Sequence, residues 1–130
     1  CIRDRGNIAE ATGANVFFKN KSGELHTPIP DSFLNGITRR CVIDIAKSKK
    51  IKVVERKIKP DEMKNFTGCF LTGTAAHLTP VVELDNRKIG NGEAGPISLK
   101  LQTLYSQVVT GNNEKYLYWC TSTAPKLTRA

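Results

Sequence analysis

The sequence lacks several features that would place it in a functional class at once. No apolar run approaches the roughly 20 residues that a bilayer-spanning helix needs, and no stretch resembles a signal peptide. Neither the four cysteines nor His26 and His77 have metal-ligand spacing, and no C-x-x-C pair occurs. We therefore expect no membrane span, no metal site and no disulfide framework, and the reducing cytoplasm is the expected compartment.

Aromatic residues are also few, at 7% of the chain, and they do not interleave with the basic residues that give a net charge of +8. Lysines cluster in the middle of the chain, at Lys47, Lys49, Lys50, Lys52, Lys57 and Lys59. Without interleaved aromatics or a nucleic-acid-binding motif, this pattern favours a solvated basic face over a binding surface. We predict no nucleic-acid partner, and a basic binding module is the least favoured interpretation.

The remaining composition is that of one globular domain. The chain has 130 residues, 39% hydrophobic and 25% charged, which is enough to bury a core. Apolar periodicity predicts strands at 7–10, 15–19, 24–27, 51–58, 69–72 and 78–84. It also predicts helices from about 36 to 50 and from 96 to 111. The predicted fold class is therefore mixed α/β, in one domain over residues 1–130.

The first predicted helix has an apolar stripe along one side. Its members recur at helical spacing and are Ile37, Cys41, Val42, Ile45 and Ala46. This spacing predicts that the stripe is buried, and that the polar positions between its members face solvent, namely Arg39, Arg40, Asp44 and Lys47. Cys41 in this stripe and Cys69 in an apolar strand are expected to be small buried hydrophobic residues.

Three short segments carry groups suited to a charged ligand. Glu10 lies at the end of a predicted strand. In segment 34–38 a loop enters a helix, so Asn35 is a candidate N-cap and the N–H groups of Ile37 and Thr38 suit an anion. Segment 73–76 follows an apolar strand, and its small residues let backbone N–H groups approach a ligand. Taken alone, each segment is more often a solvated acid, an ordinary helix start or an ordinary strand end.

In their order along the chain, these segments resemble the class IV aminotransferases, which use pyridoxal 5′-phosphate (PLP). The run from Asn7 to Phe18 resembles the segment with the acidic cofactor partner, and Leu34-Asn-Gly-Ile-Thr-Arg39 resembles the phosphate-binding L-P-G-I-T-R turn. Phe70-Leu-Thr-Gly-Thr-Ala-Ala76, followed by Thr79-Pro80-Val81, resembles G-T-A-A-x-x-T-P-V. Ile89-Gly-Asn-Gly-Glu-Ala-Gly-Pro96 resembles the turn before the closing helix. The resemblance implies the C-terminal large domain of the D-amino-acid aminotransferase-like PLP fold, with short strands in a pseudo-barrel and packed helices.

The resemblance also implies which residues would hold the cofactor. PLP acts as an electron sink and needs a protonated pyridine nitrogen, which the Glu10 carboxylate would favour. The N–H groups of Ile37 and Thr38, in the turn that contains Gly36, would bind the phosphate. Leu34 would pack against one face of the pyridine ring.

The third segment would complete this site. The Thr74 hydroxyl, beside Gly73, would add a hydrogen bond to the phosphate, and the N–H groups of Thr74 and Ala75 would help to hold the substrate's α-carboxylate. We expect the second segment to begin a helix, the third to end a strand, and both to converge on Glu10 across one cleft. His77 stands where the family has Glu, and it is expected to be a structural hydrogen-bonding residue.

Two motifs favour one branch of the family. The G-T-A-A segment and the I-G-x-G-x-x-G-P run are typical of branched-chain amino-acid aminotransferases. This branch implies amino transfer between leucine, isoleucine or valine and a 2-oxo acid, 2-oxoglutarate, by a homo-oligomeric parent protein. D-amino-acid aminotransferases, which tend to have serine- and threonine-rich residues in place of G-T-A-A, and aminodeoxychorismate lyases, which lack T-P-V, remain alternatives.

One part of the family's machinery has no counterpart among these residues. The lysine that binds the cofactor covalently lies upstream of the segment that matches Glu10. No catalytic residue is therefore assigned, and none of the 20 basic residues takes the role of that lysine. The chain is expected to be an incomplete C-terminal cofactor-binding domain, inactive alone and with weak or no PLP binding. A non-catalytic remnant of a split gene is the alternative from a different class.

Overall fold

The computed structural model describes residues 2–3, 6–31, 33–84 and 86–121. Cys1 and residues 122–130, which the sequence prediction includes in the domain, lie outside the described residues. The described helices are α1 (Ile37–Ser48) and α2 (Pro96–Val109), with short 3-10 helices at Pro60–Asn65 and Glu114–Trp119. The strands are β1 (Ile2–Arg3), β2 (Asn7–Ile8), β3 (Asn15–Lys19), β4 (Leu25–Thr27), β5 (Val53–Glu55), β6 (Gly68–Gly73), β7 (His77–Pro80), β8 (Glu83–Leu84) and β9 (Arg87–Lys88). None of the described helices is long and apolar enough to cross a bilayer.

Five strands form one mixed sheet in the order β5-β4-β3-β6-β7. β4 and β5 run parallel, whereas β3 is antiparallel to β4 and β6, and β6 is antiparallel to β7. Parallel neighbours need a crossover connection, which α1 provides between β4 and β5. The pairs β1–β2 and β8–β9 form two small antiparallel sheets. The predicted mixed α/β class is confirmed, although the predicted strand 51–58 shortens to β5 and the predicted strand 78–84 divides into β7 and β8.

Apolar clusters cover both faces of the sheet. Phe17 of β3 stacks on Phe70 of β6, with ring centroids 4.9 Å apart, on the face against which α1 and α2 pack. The next residue, Phe18, points to the opposite face and stacks on Phe66 at 4.9 Å. Successive side chains of a strand point to opposite faces, so a strand covered on both faces contains a continuous apolar run. The run at 16–18 therefore places β3 at the centre of the molecule.

The apolar stripe of α1 is confirmed in the middle of the helix but not at its start. Val42, Ile45 and Ala46 are buried, whereas Cys41 is half-buried and Ile37 is 72% exposed. The first turn buries Thr38 and Arg39 instead, at 5% and 1% exposure, so the buried side of α1 does not include Ile37. Apolar spacing alone did not show that two polar residues occupy the buried side of this turn.

Arg39 is buried, so the prediction that it faces solvent is wrong. The side chain is 1% exposed. Its guanidinium donates hydrogen bonds to Asn35 Oδ1 at 2.8 Å, to the Pro28 carbonyl oxygen at 3.1 Å and to Glu55 Oε1 at 2.6 Å. Arg39 thereby joins α1 to the preceding loop and to β5. These partners offset part of the cost of burying its charge, while Nε is buried without a hydrogen-bond partner among the described residues.

A second charged network surrounds His26 in β4. Arg56 Nε donates to His26 Nδ1 at 2.9 Å, and the same guanidinium binds the Glu62 carboxylate at 2.7 and 3.2 Å. His26 Nε2 lies 3.6 Å from Glu24 Oε2. Burial of the imidazole, and secondly the charge of Arg56, lower the pKa of His26. The ring is therefore held in its neutral form as an acceptor for Arg56.

This lowered pKa predicts a pH dependence of stability. As the pH falls, the unfolded chain takes up a proton on His26 before the folded chain does, so the contribution of His26 to the unfolding free energy is complete above about pH 6.5. This contribution should decrease as the pH falls from about 6.5 towards the lower pKa that His26 has in the folded chain. Urea titrations between about pH 5.5 and 7.5 should show this slope in the wild type and a flatter one in His26→Gln. The exposed His77→Gln variant is the control, and equal slopes in all three proteins would contradict the prediction.

Candidate functional site

The first turn of α1 lies at one end of the sheet and can bind an anion. The helix begins at Ile37 with Gly36 as its N-cap, which corrects the prediction that Asn35 caps it. Asn35 instead accepts the hydrogen bond from Arg39. The first N–H groups of a helix have no intrahelical acceptor and carry partial positive charge, so those of Ile37 and Thr38 suit an anion. The prediction that segment 34–38 begins a helix is confirmed.

Two large apolar side chains flank this turn in solvent. Leu34 is 80% exposed and Ile37 is 72% exposed. Exposed apolar side chains close in sequence to a set of N–H donors offer contact surface to a ligand that has both an apolar body and a negative group. Leu34 thus lies in the loop that leads directly into the N–H groups predicted to bind a phosphate.

A buried amide holds the loop in front of α1. Asn15, the first residue of β3, is 6% exposed. Its Nδ2 donates to the Leu34 carbonyl oxygen at 3.0 Å, and its Oδ1 accepts a hydrogen bond from the Gly36 N–H at 3.2 Å. A Cβ atom at Gly36 would lie 2.5 Å from Asn15 Oδ1, so this close approach requires glycine. Asn15 was not among the predicted site residues, because its partners lie 19 and 21 residues further along the chain.

The end of β6 meets the same region. Thr72 pairs with Asn15 across the sheet, and β6 ends at Gly73, so the prediction that the third segment ends a strand is confirmed. A Cβ atom at Gly73 would lie 3.0 Å from the Gly13 carbonyl oxygen and 3.6 Å from the Ala14 Cα. The backbone of β6 is therefore in direct contact with the segment that follows Glu10.

The turn after β6 is open to solvent. Thr74 and Ala75 are exposed between Gly73 and His77, which pair across β6 and β7. His77 closes this short turn with a positive φ of 53°, a conformation that few non-glycine residues adopt. The His77 ring meets the Tyr105 ring at a centroid distance of 6.0 Å in an edge-on arrangement. His77 thus has a structural position in the turn, and Thr74 and Ala75 lie on its solvent-exposed part.

The Thr38 side chain points to α2. Thr38 is 5% exposed, and its Oγ1 lies 3.3 Å from the hydroxyl oxygen of Tyr105. A ligand at the start of α1 would therefore meet the Thr38 N–H group, which is the group that the sequence analysis assigns to the phosphate. Tyr105 is 67 residues away along the chain, and no local pattern indicated this contact.

Glu10 lies between β2 and β3 on a segment fixed at both ends. Ile8 forms a backbone bridge with Ile58, and Ala11 forms one with Ala14. The half-buried Glu10 side chain lines a cavity of about 1000 Å³ on the sheet face opposite α1, with apolar residues of the second core cluster. The backbones of all three predicted segments thus meet near the start of β3. The Glu10 side chain, however, lies on the other face of the sheet from α1, so the prediction that the second and third segments converge on Glu10 across one cleft is wrong for this side chain.

Each of these groups has chemistry that suits one part of PLP. N–H donors at a helix start suit a phosphate, exposed apolar side chains suit a ring face, and a carboxylate suits a protonated ring nitrogen. Gly36 and Gly73 allow the close approach of the α1 loop to Asn15 and of β6 to Gly13, which bring the segments together. Among residues 6–31, 33–84 and 86–121, no group of three His, Cys, Asp or Glu side chains is placed to hold a metal ion.

Comparison with known proteins identifies the family. The family model for class IV aminotransferases matches residues 1–84, and the chain belongs to this family. A probable branched-chain-amino-acid aminotransferase of Aquifex aeolicus is 46% identical over 122 residues, which cover 92% of this chain and 39% of that protein. The branched-chain-amino-acid aminotransferase of Pseudomonas aeruginosa is 42% identical over 116 residues, covering 89% of this chain and 38% of that protein.

Solved structures show the same fold. The T.th. branched-chain amino acid aminotransferase, in complex with N-(5′-phosphopyridoxyl)-L-glutamate, has a TM-score of 0.91 and 37% identity, covering 95% of this chain and 42% of that one. The branched-chain aminotransferase from Thermoproteus uzoniensis, with norvaline, has a TM-score of 0.86 and 38% identity, covering 92% and 39%. The chain spans about two fifths of the length of the curated relatives it matches, 39% and 38% in the two above.

Proposed function

We propose that this chain is the C-terminal cofactor-binding part of a PLP-dependent branched-chain amino-acid transaminase. The observation that carries the proposal is the attachment of both the α1 loop and the end of β6 to Asn15. This arrangement brings anion-binding N–H groups and an exposed turn to one end of the sheet, where a phosphate and a substrate carboxylate can bind side by side. The names of the relatives support the branched-chain substrate class.

Each predicted cofactor contact has a physical reason. The N–H groups of Ile37 and Thr38 hold the phosphate, and the Thr74 hydroxyl adds a hydrogen bond to it. Leu34 covers one face of the ring, and its 80% exposure leaves that surface accessible. Glu10 would be the partner of the ring nitrogen, where its negative charge would favour a proton. When bound, PLP supplies the electron sink that amino transfer requires.

The substrate would bind beside the phosphate. The N–H groups of Thr74 and Ala75 hold the α-carboxylate of leucine, isoleucine or valine, and 2-oxoglutarate takes the same position as the amino acceptor. The family resemblance supports a homo-oligomer. Free thiols at Cys41, Cys69 and Cys120 suit the reducing cytoplasm, and burial raises the pKa of Cys69 to about 12, so that thiol is unreactive.

Amino transfer from leucine to 2-oxoglutarate tests the proposal. The complete gene product that contains these residues should catalyse it with PLP. A polypeptide of residues 1–130 alone should not catalyse it. Covalent catalysis with PLP needs an activated amine, and none of these residues is assigned the role of the family's lysine. Both proteins should be assayed under identical conditions, with a D-amino acid and aminodeoxychorismate as alternative substrates for the other two branches.

Two outcomes would contradict different parts of this proposal. Substantial turnover by the polypeptide alone would show that the role assigned to the family's lysine is wrong. A complete gene product that uses D-amino acids or aminodeoxychorismate, and no branched-chain donor, would exclude the branched-chain branch while leaving the family unchanged.

A further inference from the structure

We infer that Asn15 is a positioning residue that sets the phosphate-binding turn of α1, an inference that rests on the proposed function. The side-chain amide has a donor and an acceptor on one rigid group, and both form hydrogen bonds with the loop that precedes α1. Nδ2 binds the Leu34 carbonyl oxygen at 3.0 Å, and Oδ1 binds the Gly36 N–H at 3.2 Å. Because these contacts flank Asn35, the amide determines the direction in which the chain enters the helix.

The strand that carries Asn15 gives this contact its rigidity. Asn15 opens β3, the central strand of the five-stranded sheet, and pairs there with Thr72 of β6. The side chain is 6% exposed, so water competes little for its hydrogen bonds. The start of α1 is thus fixed relative to the end of β6, and the turn that follows β6 carries Thr74. Asn15 therefore holds the two proposed phosphate-binding segments, the start of α1 and the turn after β6, at a fixed distance from each other.

The glycine at position 36 supports the same inference. Its φ of −62° and ψ of 148° are accessible to any residue, so backbone conformation does not require glycine here. The requirement comes from Asn15, whose Oδ1 would lie 2.5 Å from an added Cβ. An alanine at this position must therefore push the loop and the amide apart.

The experiment compares two probes that differ only in the phosphate. Equilibrium binding of PLP and of pyridoxal, which lacks the phosphate, is measured on the complete gene product. Asn15→Ala should weaken PLP binding by about tenfold and leave pyridoxal binding nearly unchanged. A residue that merely stabilises the fold would weaken both probes equally, so the PLP-to-pyridoxal affinity ratio is the decisive quantity.

Asn20→Ala is the matched control. Asn20 directly follows β3 at its other end, and its Oδ1 also accepts a loop hydrogen bond, from the Glu24 N–H at 2.9 Å. The Asn20→Ala variant should leave the PLP-to-pyridoxal affinity ratio at its wild-type value. If Asn15→Ala does not fold, Gly36→Ala tests the same contact from the loop side and should lower the ratio in the same way.

The outcomes separate this inference from the proposed function. An unchanged ratio in Asn15→Ala, or in Gly36→Ala where the first variant does not fold, would overturn the positioning role while wild-type preference for PLP still supports the cofactor. A wild-type protein that binds PLP no better than pyridoxal would overturn the proposed phosphate site itself, and the positioning role with it.

Discussion

Replacing Glu10 with alanine in the complete gene product should lower amino transfer from leucine to 2-oxoglutarate by roughly 10- to 150-fold. The proposed contact between Glu10 and the pyridine nitrogen is a charge-assisted hydrogen bond, and the loss of such a bond costs roughly 1.5–3 kcal/mol. The Ile8–Ile58 and Ala11–Ala14 bridges fix the backbone on both sides of Glu10 without its side chain. The fold should therefore survive the substitution.

Glutamine at the same position separates charge from size. Glu10→Gln keeps the shape and a hydrogen-bonding group but has no negative charge to favour a proton on the ring nitrogen, so it should be nearly as impaired as Glu10→Ala. The exposed Glu114→Ala, on the 3-10 helix Glu114–Trp119, is the control and should retain wild-type turnover. Rates are compared at saturating PLP, with thermal unfolding of each variant measured in parallel. Wild-type turnover in Glu10→Gln would show that the charge of this residue is not used.

Local sequence patterns predicted a structural feature correctly where that feature depends on residues close in the chain. Helical spacing predicted the buried positions Val42, Ile45 and Ala46. Local patterns also predicted a helix that begins at about residue 36 and a strand that ends where segment 73–76 begins, and α1 begins at Ile37 and β6 ends at Gly73. Each of these features depends on side-chain periodicity or on turn chemistry within a few residues. Such information is present in a single sequence.

The arrangement of the candidate site depends on contacts that no local pattern contains. Asn15 meets residues 19 and 21 positions away, and Thr38 meets Tyr105 across 67 positions. Periodicity describes the polarity of a position but not the partner that the fold supplies. The motif order named the segments of the proposed site, whereas the contacts of Asn15 with two of them became apparent only from the fold.

Arg39 is the clearest case, because its polarity predicted the wrong environment. An arginine between apolar positions of a helix is expected to face solvent, unless buried acceptors elsewhere in the fold satisfy its guanidinium. Here the Pro28 carbonyl and the Asn35 side chain supply acceptors on the loop, and Glu55 supplies a carboxylate from β5. The prediction failed because these partners come from two other elements of the fold.

Arg39→Ala should therefore lower the unfolding free energy by about 3 kcal/mol, which is close to the upper part of the usual range for single substitutions. The substitution removes three hydrogen bonds, opens a cavity where a 1% exposed side chain was packed, and leaves the buried Pro28 carbonyl without this donor. Glu55 contributes less to the loss, because its side chain is 49% exposed and water can solvate it.

Two further variants show which part of this loss is polar. Arg40→Ala removes the same charge from the exposed neighbouring position and should change the unfolding free energy by less than about 0.5 kcal/mol. Arg39→Met retains most of the buried volume but none of the hydrogen bonds, so it should recover the packing contribution alone. Urea denaturation of the wild type and the three variants gives the comparison. If Arg39→Ala is no less stable than Arg40→Ala, the buried network does not join α1 to β5, and the environment assigned to Arg39 is wrong.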